Sequence, residues 1–149
     1  MDTAMVHKEL DLIQGVINRM AANSFEVKKW LIGIITAIVV LSKDNLMNGG
    51  SQVIWILLLP ILSFWYLDAF YLSKEKLFKE MYRWVVNYRN KTEDYLYDLN
   101  TMKRICNGTT ENLIKKKNGI LRTAISPSLL PFYLIPVACI LMLILFQSS

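Results

Sequence analysis

The sequence has few of the residues from which catalytic and metal sites are usually built. One histidine and two cysteines occur in 149 residues, and none of them stands in a cluster with metal-ligand spacing. The chain also has no glycine-rich phosphate loop and no nucleophile with an evident base. We therefore expect no enzyme activity, no metal and no cofactor. Cys106 lies in a charged segment and Cys139 in an apolar run, so a disulfide framework is not expected.

The abundant residues are apolar or basic, and they occupy separate blocks. Hydrophobic residues make up 54% of the chain, and seventeen Lys and Arg stand against twelve Asp and Glu. Mean hydropathy is +0.32. A soluble domain would mix these residues, whereas segregation into blocks is typical of membrane proteins. The first fourteen residues carry acids and a histidine where a secretory signal needs an apolar core, so we expect no cleaved signal peptide.

The strongest membrane signal is the run from 53 to 72, twenty residues whose single charge is Asp68. At 1.5 Å per residue, a helix of this length covers the roughly 30 Å hydrocarbon core of a bilayer. After Pro60 the run passes into a charged helix without another helix breaker. The pattern predicts a transmembrane helix that extends beyond the membrane.

A second apolar run precedes it, at residues 30–42. Its thirteen residues fall about a third short of the bilayer core. Lys28 and Lys29 could lengthen the span because their side chains can reach back to the headgroups. The turn-rich connector 43–52 leads directly to the longer run, so the sequence predicts a helical hairpin.

A third run, residues 129–146, is uncharged and long enough to cross the bilayer. Pro131 and Pro136 would kink it. Sixteen of the seventeen basic residues lie in segments 1–29 and 73–128, and positive charge collects on the cytoplasmic side. The sequence therefore predicts an all-α membrane protein with three spans, with the N-terminus inside and the C-terminus outside. Its segments are an amphipathic helix, a transmembrane hairpin, a charged helical layer and a terminal span, over 1–29, 30–72, 73–128 and 129–146.

The cytoplasmic segments predict helices with one apolar face. The first stripe, at spacings of three and four, is Val6, Leu10, Ile13, Ile17 and Met20. This helix could lie in the membrane interface or pack on the charged helix after Tyr71, and its few basic residues favour packing. It continues toward residue 30 either without a break or with a gentle kink at Asn23–Ser24.

The longer charged segment predicts two helices. Their stripes are Leu77, Met81, Trp84 or Val85, and Tyr88, followed by Tyr95, Leu99, Met102 and Ile105. Aromatic residues here alternate with acids as often as with bases, which favours packing in a small helical layer over binding to nucleic acid. Lys115, Lys116 and Lys117 form a basic patch that suits a surface of anionic lipid.

Asp68 is the main candidate site residue. A charge at this depth faces protein or water rather than lipid and needs a partner. Arg19, Lys28 and Lys29 are the candidate partners because they reach the same membrane face. Two roles are open: an ion pair that locks the helices, which we favour, and a role in gating or conduction. Around Asp68 lies an aromatic cluster typical of the headgroup level, formed by Phe64, Trp65, Tyr66, Phe70 and Tyr71.

Three stretches carry a family resemblance: INRMAANSF at 17–25, KW at 29–30 and FWYLDAFYL at 64–72. Together with Glu75, Leu77, Phe78 and Tyr82, they resemble a widespread family of small uncharacterised bacterial helical membrane proteins over nearly the whole chain. In outline the chain is also similar to the SLATT-type membrane effectors of antiviral defence systems, whose cytosolic helices signal to a membrane element. It departs from their two-helix plan by its third span. Arg19, Asn23, Trp65 and Asp68 stand in the matching stretches, and the resemblance assigns them no role.

Two functions fit these observations. In the first, the protein forms a homo-oligomer in the lipid bilayer and acts as a membrane-perturbing or pore-forming effector that responds to a cytosolic partner or ligand. In the second, it is a membrane anchor or adaptor whose cytoplasmic helices recruit a partner protein. Gly33 and Ala37 are small residues one turn apart that would let another helix approach closely, which suits assembly.

Overall fold

A computed structural model describes residues 3–47, 52–89, 96–101 and 118–148. Over these ranges the chain is all-α, as predicted, and contains no strand. The helices are α1 (Thr3–Leu41), α2 (Lys43–Met47), α3 (Gln52–Tyr88), α4 (Ile120–Ala124) and α5 (Leu130–Ser148).

Two long helices form the frame of the molecule. Helix α1 has 39 residues and α3 has 37, which correspond to about 60 and 55 Å at helical rise. The amphipathic stretch and the first apolar run are thus one helix, without a break at Asn23–Ser24. Pro60 is accommodated inside α3 without ending it. Each helix therefore has a charged half and an apolar half.

The two helices pack side by side and antiparallel, so their charged halves meet. A cluster of Ile13 and Ile17 from α1 with Met81 and Val85 from α3 forms the core at this charged end. The predicted packing of the amphipathic helix on the charged helix is therefore present. On α3 the buried stripe uses Val85 rather than Trp84, which is half-buried, and Tyr88, which was also predicted on the stripe, is 49% exposed.

A second core joins three helices at the apolar end. It contains Leu31 of α1, residues of α3 such as Leu57 and Ile61, and Tyr133 and Ile140 of α5. Helix α5 begins beside the middle of α3 and runs back along its apolar half, antiparallel to it. Pro136 lies inside α5. Pro131 occupies its first turn, where proline is tolerated, so the predicted kink at this residue is not needed.

The second helix predicted in the charged segment is wrong at residues 96–100, which form a turn and irregular chain. Tyr97 has a positive φ of 58°. The Asp98 carboxylate accepts a hydrogen bond from the backbone N–H of Asn100, 2.8 Å away, a local bond that competes with helix formation. Helix α4 was not predicted. Tyr95, Met102, Ile105 and the Lys115–Lys117 patch lie outside the described residues.

Length and composition identify one candidate membrane span among the described residues. The helix over Trp55–Tyr88 is long and apolar enough to span, and only a third of its most apolar stretch is buried inside the molecule. The apolar helix Leu130–Met142 is shorter. A three-span arrangement therefore stays a prediction for the other two runs.

Candidate functional site

The most distinctive feature of the described structure is a buried polar centre between α1, α3 and α5. Its members are Ser24, Lys28, Asp68 and Tyr133, and we call it the Asp68 centre. The Asp68 side chain is fully buried. A buried carboxylate is costly unless its charge and hydrogen-bonding capacity are matched. The surrounding groups supply both.

Helix α1 supplies the counter-charge. Lys28 Nζ lies 2.5 Å from Asp68 Oδ2 and donates to Ser24 Oγ over 3.0 Å. Ser24 in turn donates its hydroxyl proton to Asp68 Oδ1. Ser24 and Lys28 are one helical turn apart, so α1 presents both groups to the same carboxylate. The Lys28 side chain is 23% exposed, which places this ion pair at the edge of the core.

Helix α5 closes the third side of the centre. The Tyr133 hydroxyl lies 3.0 Å from Asp68 Oδ2 and 3.3 Å from the Phe64 carbonyl. Having one proton, it donates to the charged carboxylate, which is the stronger acceptor. The Tyr133 ring stacks on Trp65, with 5.7 Å between centroids and 7° between planes. Trp65 Nε1 donates to the Ala124 carbonyl over 3.0 Å, so the centre also holds α4.

Of the three predicted partners, Lys28 alone pairs with Asp68. Lys29 points one residue further round the helix and pairs with Glu26, 2.5 Å away, where both side chains are about half-exposed. Arg19 is exposed and makes no ion pair with Asp68. Arg19 stands nine residues before Lys28, about 13.5 Å along α1, and Lys29 is one residue after it, so axial position and helical phase together select Lys28.

The predicted aromatic cluster divides into two environments. Phe64 and Trp65 are half-buried and pack against the apolar core, whereas Tyr66 is 60% exposed. Phe70 and Tyr71 are half-buried, and their rings meet edge to face at 5.6 Å. Part of the cluster therefore packs against the core, and part of it lies on the outer surface.

Gly33 and Ala37 are both exposed. No atom beyond the helix lies within 4 Å of where a Gly33 Cβ would stand. The small-residue face is therefore open within the single chain.

A second buried ion pair lies at the charged end and was missed in the sequence. Arg89 Nε and Nη2 contact the two carboxylate oxygens of Glu9 at 2.7 and 2.6 Å. Both side chains are 1% exposed. The backbone N–H of Tyr97 donates to Glu9 Oε1 over 3.3 Å. This two-point contact joins the start of α1 to the end of α3.

The missed residues did leave signals in the sequence. Ser24 stands seven residues after Ile17, and Glu9 four residues before Ile13, so each is a polar residue on an apolar stripe. Arg89 follows Val85 by four residues in the same way. Tyr133 gave no such signal, because every residue around it is apolar and any of its neighbours could have faced α3.

The chemistry of the Asp68 centre is that of a lock between helices. Its carboxylate is fully buried, is paired with the Lys28 ammonium and accepts hydrogen bonds from two hydroxyl groups, so its charge is matched within the protein. Among the described residues, no group of three or more His, Cys, Asp or Glu is placed to hold a metal ion. No protein-family model, curated protein or solved structure matches the chain.

Proposed function

We propose that the protein is a multi-pass protein of the bacterial inner membrane that assembles into a homo-oligomer and acts as a membrane-perturbing or pore-forming effector. In its inactive state, the Asp68 centre holds α1, α3 and α5 together. The observation that carries this proposal is the enclosure of Asp68, the one charge in the longest apolar run, by groups from three helices. The resemblance to SLATT-type effectors makes antiviral defence the expected setting.

The surface of the apolar end supports a membrane location. Large apolar side chains face outward on all three helices rather than into a core, and a patch of this size needs lipid or a partner. They include Trp30, Ile32, Val40, Trp55, Leu59, Leu62, Ile135 and Met142. Two exposed hydroxyls in this zone, those of Thr36 and Ser63, donate to carbonyls of their own helix, as expected of helices in lipid.

The continuity of α1 and α3 supports a signalling role. Both helices run unbroken from the charged core to the apolar core, and the Asp68 centre lies where these two zones meet. A ligand or partner that moved the charged end would therefore strain this centre. Helix α5 is held there through Tyr133, so its release would expose Asp68 and Lys28 to neighbouring helices or water.

The open face at Gly33 and Ala37 supports assembly. Small residues let backbones approach closely in a membrane, where packing and hydrogen bonds rather than hydrophobic burial drive association. Pro60 and Pro136 also remove backbone donors, and neighbouring helices commonly satisfy the carbonyls so released. Native mass measurement in mild detergent should show a homo-oligomer, and a stable helical monomer would contradict this part of the proposal.

The test is membrane depolarisation after induction of the protein alone in bacterial cells. Tyr133→Phe removes the hydroxyl that joins α5 to Asp68 and keeps the ring stacked on Trp65. A hydrogen bond to a charged group contributes roughly 1.5–3 kcal/mol, so release of α5 should become about ten- to a hundred-fold more favourable. Depolarisation should therefore be faster at equal protein level.

Tyr66→Phe is the matched control, because it removes the same hydroxyl group from an exposed tyrosine of α3, next to Trp65. It should behave as the unchanged protein. If induction leaves the membrane potential intact for both the unchanged protein and Tyr133→Phe, the effector proposal is wrong.

The alternative, an anchor or adaptor, is supported by apolar residues exposed at the charged end. Met5, Leu12, Val86 and Tyr88 are each at least 46% exposed, and such side chains suit a protein partner. An adaptor would leave the membrane potential unchanged. It should also bind a cytosolic protein, and the double variant Leu12→Ser with Val86→Ser should lose that binding.

A further inference from the structure

A cleft beside α4 combines two cationic side chains with one buried hydroxyl group. Its volume is about 400 Å³, and Lys76 of α3, Arg122 of α4 and Ser126 line it. Neither Lys76 nor Arg122 forms an ion pair with any residue that the structure describes. The Ser126 hydroxyl is buried and has no hydrogen-bond partner there. An unpaired buried hydroxyl is unfavourable, so a bound acceptor would stabilise it.

The depth of the cleft matches the headgroup layer of a membrane. The apolar run of α3 ends at Leu72, and Lys76 follows four residues later, about 6 Å further along the helix. The polar layer on each side of a bilayer is roughly 5–8 Å thick. If the apolar half of α3 spans the hydrocarbon core, Lys76 lies at the level of the lipid phosphates.

Apolar side chains flank the cations on the outer surface. Leu121 is 84% exposed and Ile125 is 68% exposed, and they stand four residues apart on one side of α4 and the turn after it. Arg122 lies between them in sequence. Exposed aliphatic residues beside cations are typical of segments that insert shallowly among anionic lipids.

We infer that this cleft binds the phosphate of an anionic lipid in the cytoplasmic leaflet. Lys76 and Arg122 contact the phosphate oxygens, and a rotation about the Cα–Cβ bond of Ser126 lets its hydroxyl donate to the same group. Leu121 and Ile125 pack on the acyl chains. This inference rests on the membrane location proposed above. It adds a lipid-binding site distinct from the Asp68 centre.

The experiment measures lipid retained by the full-length protein, purified in mild detergent and supplied with phosphatidylglycerol or phosphatidylcholine, by native mass spectrometry. The unchanged protein should retain phosphatidylglycerol in preference. Lys76→Gln with Arg122→Gln should weaken that binding about thirty-fold, since two cations beside an anionic headgroup are lost. Lys76→Arg with Arg122→Lys keeps both charges and should retain binding, which separates loss of charge from loss of folding.

The matched control is Lys74→Gln with Arg83→Gln, which removes one lysine and one arginine from exposed positions of α3 outside the cleft. It should bind phosphatidylglycerol like the unchanged protein. Equal retention of the two lipids, or equal loss in the control, would overturn the inference. Displacement of the lipid by millimolar inorganic phosphate would also overturn it, by assigning the site to free phosphate. Separately, extraction of the protein from cells without detergent would contradict the membrane location itself.

Discussion

At the scale of single residues, the fate of each charged side chain follows from helical phase. Lys28 and Lys29 are adjacent in sequence, yet Lys28 pairs with a buried carboxylate and Lys29 with exposed Glu26. A step of one residue turns a side chain by about 100° round a helix. The stability of the molecule should therefore depend strongly on one of these two ion pairs and weakly on the other.

We predict that Asp68→Ala destabilises the protein by about 2–4 kcal/mol. Removing one partner of a buried pair leaves the other charge unmatched, and the partial exposure of Lys28 reduces that cost. Unfolding in detergent, followed by circular dichroism, measures the change. Glu26→Ala removes the carboxylate of the exposed Glu26–Lys29 pair on α1 and should cost less than about 1 kcal/mol.

A double variant tests whether the lost stability comes from an unpaired charge or from the lost volume of the side chain. Lys28→Met with Asp68→Leu removes both charges and should recover much of the lost stability, because apolar replacements of buried pairs are often neutral or better. If Asp68→Ala unfolds like Glu26→Ala, the Asp68 centre is not a lock.

The sequence predicted part of the Asp68 centre. The isolated charge in an apolar run pointed to Asp68 itself, and distance from the membrane end limited its partners to three basic residues. The choice of Lys28 required the rotational register of α1 against α3, which depends on how the stripes through Ile17 and Met81 pack. Tyr133 depended on the placement of α5, and no local pattern encodes that contact.

At the scale of elements, the α1–α3 pair is fastened at two points. The Asp68 centre lies near the middle of the pair, and the Glu9–Arg89 pair lies at its charged end. Between these points the contacts are apolar and do not by themselves specify a unique register. The planar guanidinium of Arg89 meets both oxygens of Glu9, a geometry that fixes the relative position of the two helices.

We predict that Glu9→Ala loosens the charged end while leaving the apolar end intact. Loss of one partner of a fully buried pair costs about 3–5 kcal/mol, a large fraction of the stability of a typical domain. Hydrogen exchange should rise in α1 before Ile17 and in α3 after Met81. Protection from Leu31 to Ile38 should remain.

The control for this variant is Asp11→Ala, because Asp11 is an exposed acid two residues away. It should leave hydrogen exchange unchanged within about 0.5 kcal/mol. A uniform rise in exchange along both helices after Glu9→Ala would mean that the two ends unfold together. The Glu9–Arg89 pair would then not stabilise the charged end separately.

At the scale of the whole molecule, charge and hydropathy divide along one axis. The basic residues of α1 and α3 lie toward one end, most of the exposed aliphatic and aromatic side chains lie at the other, and the Asp68 centre lies between them. This division was readable from the sequence, because it depends on composition in blocks of about twenty residues. Helix length did not settle the number of crossings, since the apolar run of α1 has thirteen residues and the apolar helix Leu130–Met142 is also shorter than a span needs.

The last prediction concerns topology. A reporter fused after Ser149 should be active outside the cytoplasm, and one inserted near Asn107, beyond the described residues, should be active inside. The reason is that sixteen of the seventeen basic residues fall in segments 1–29 and 73–128, and positively charged segments remain on the cytoplasmic side. A paired reporter that is active on opposite sides of the membrane measures both positions.

If α5 lies on the membrane surface without crossing it, both reporters will be cytoplasmic, and the chain will have two spans. If the Ser149 fusion is cytoplasmic and the Asn107 insertion is outside, the orientation is reversed, and the proposal that a cytosolic ligand or partner acts on the charged end is wrong with it.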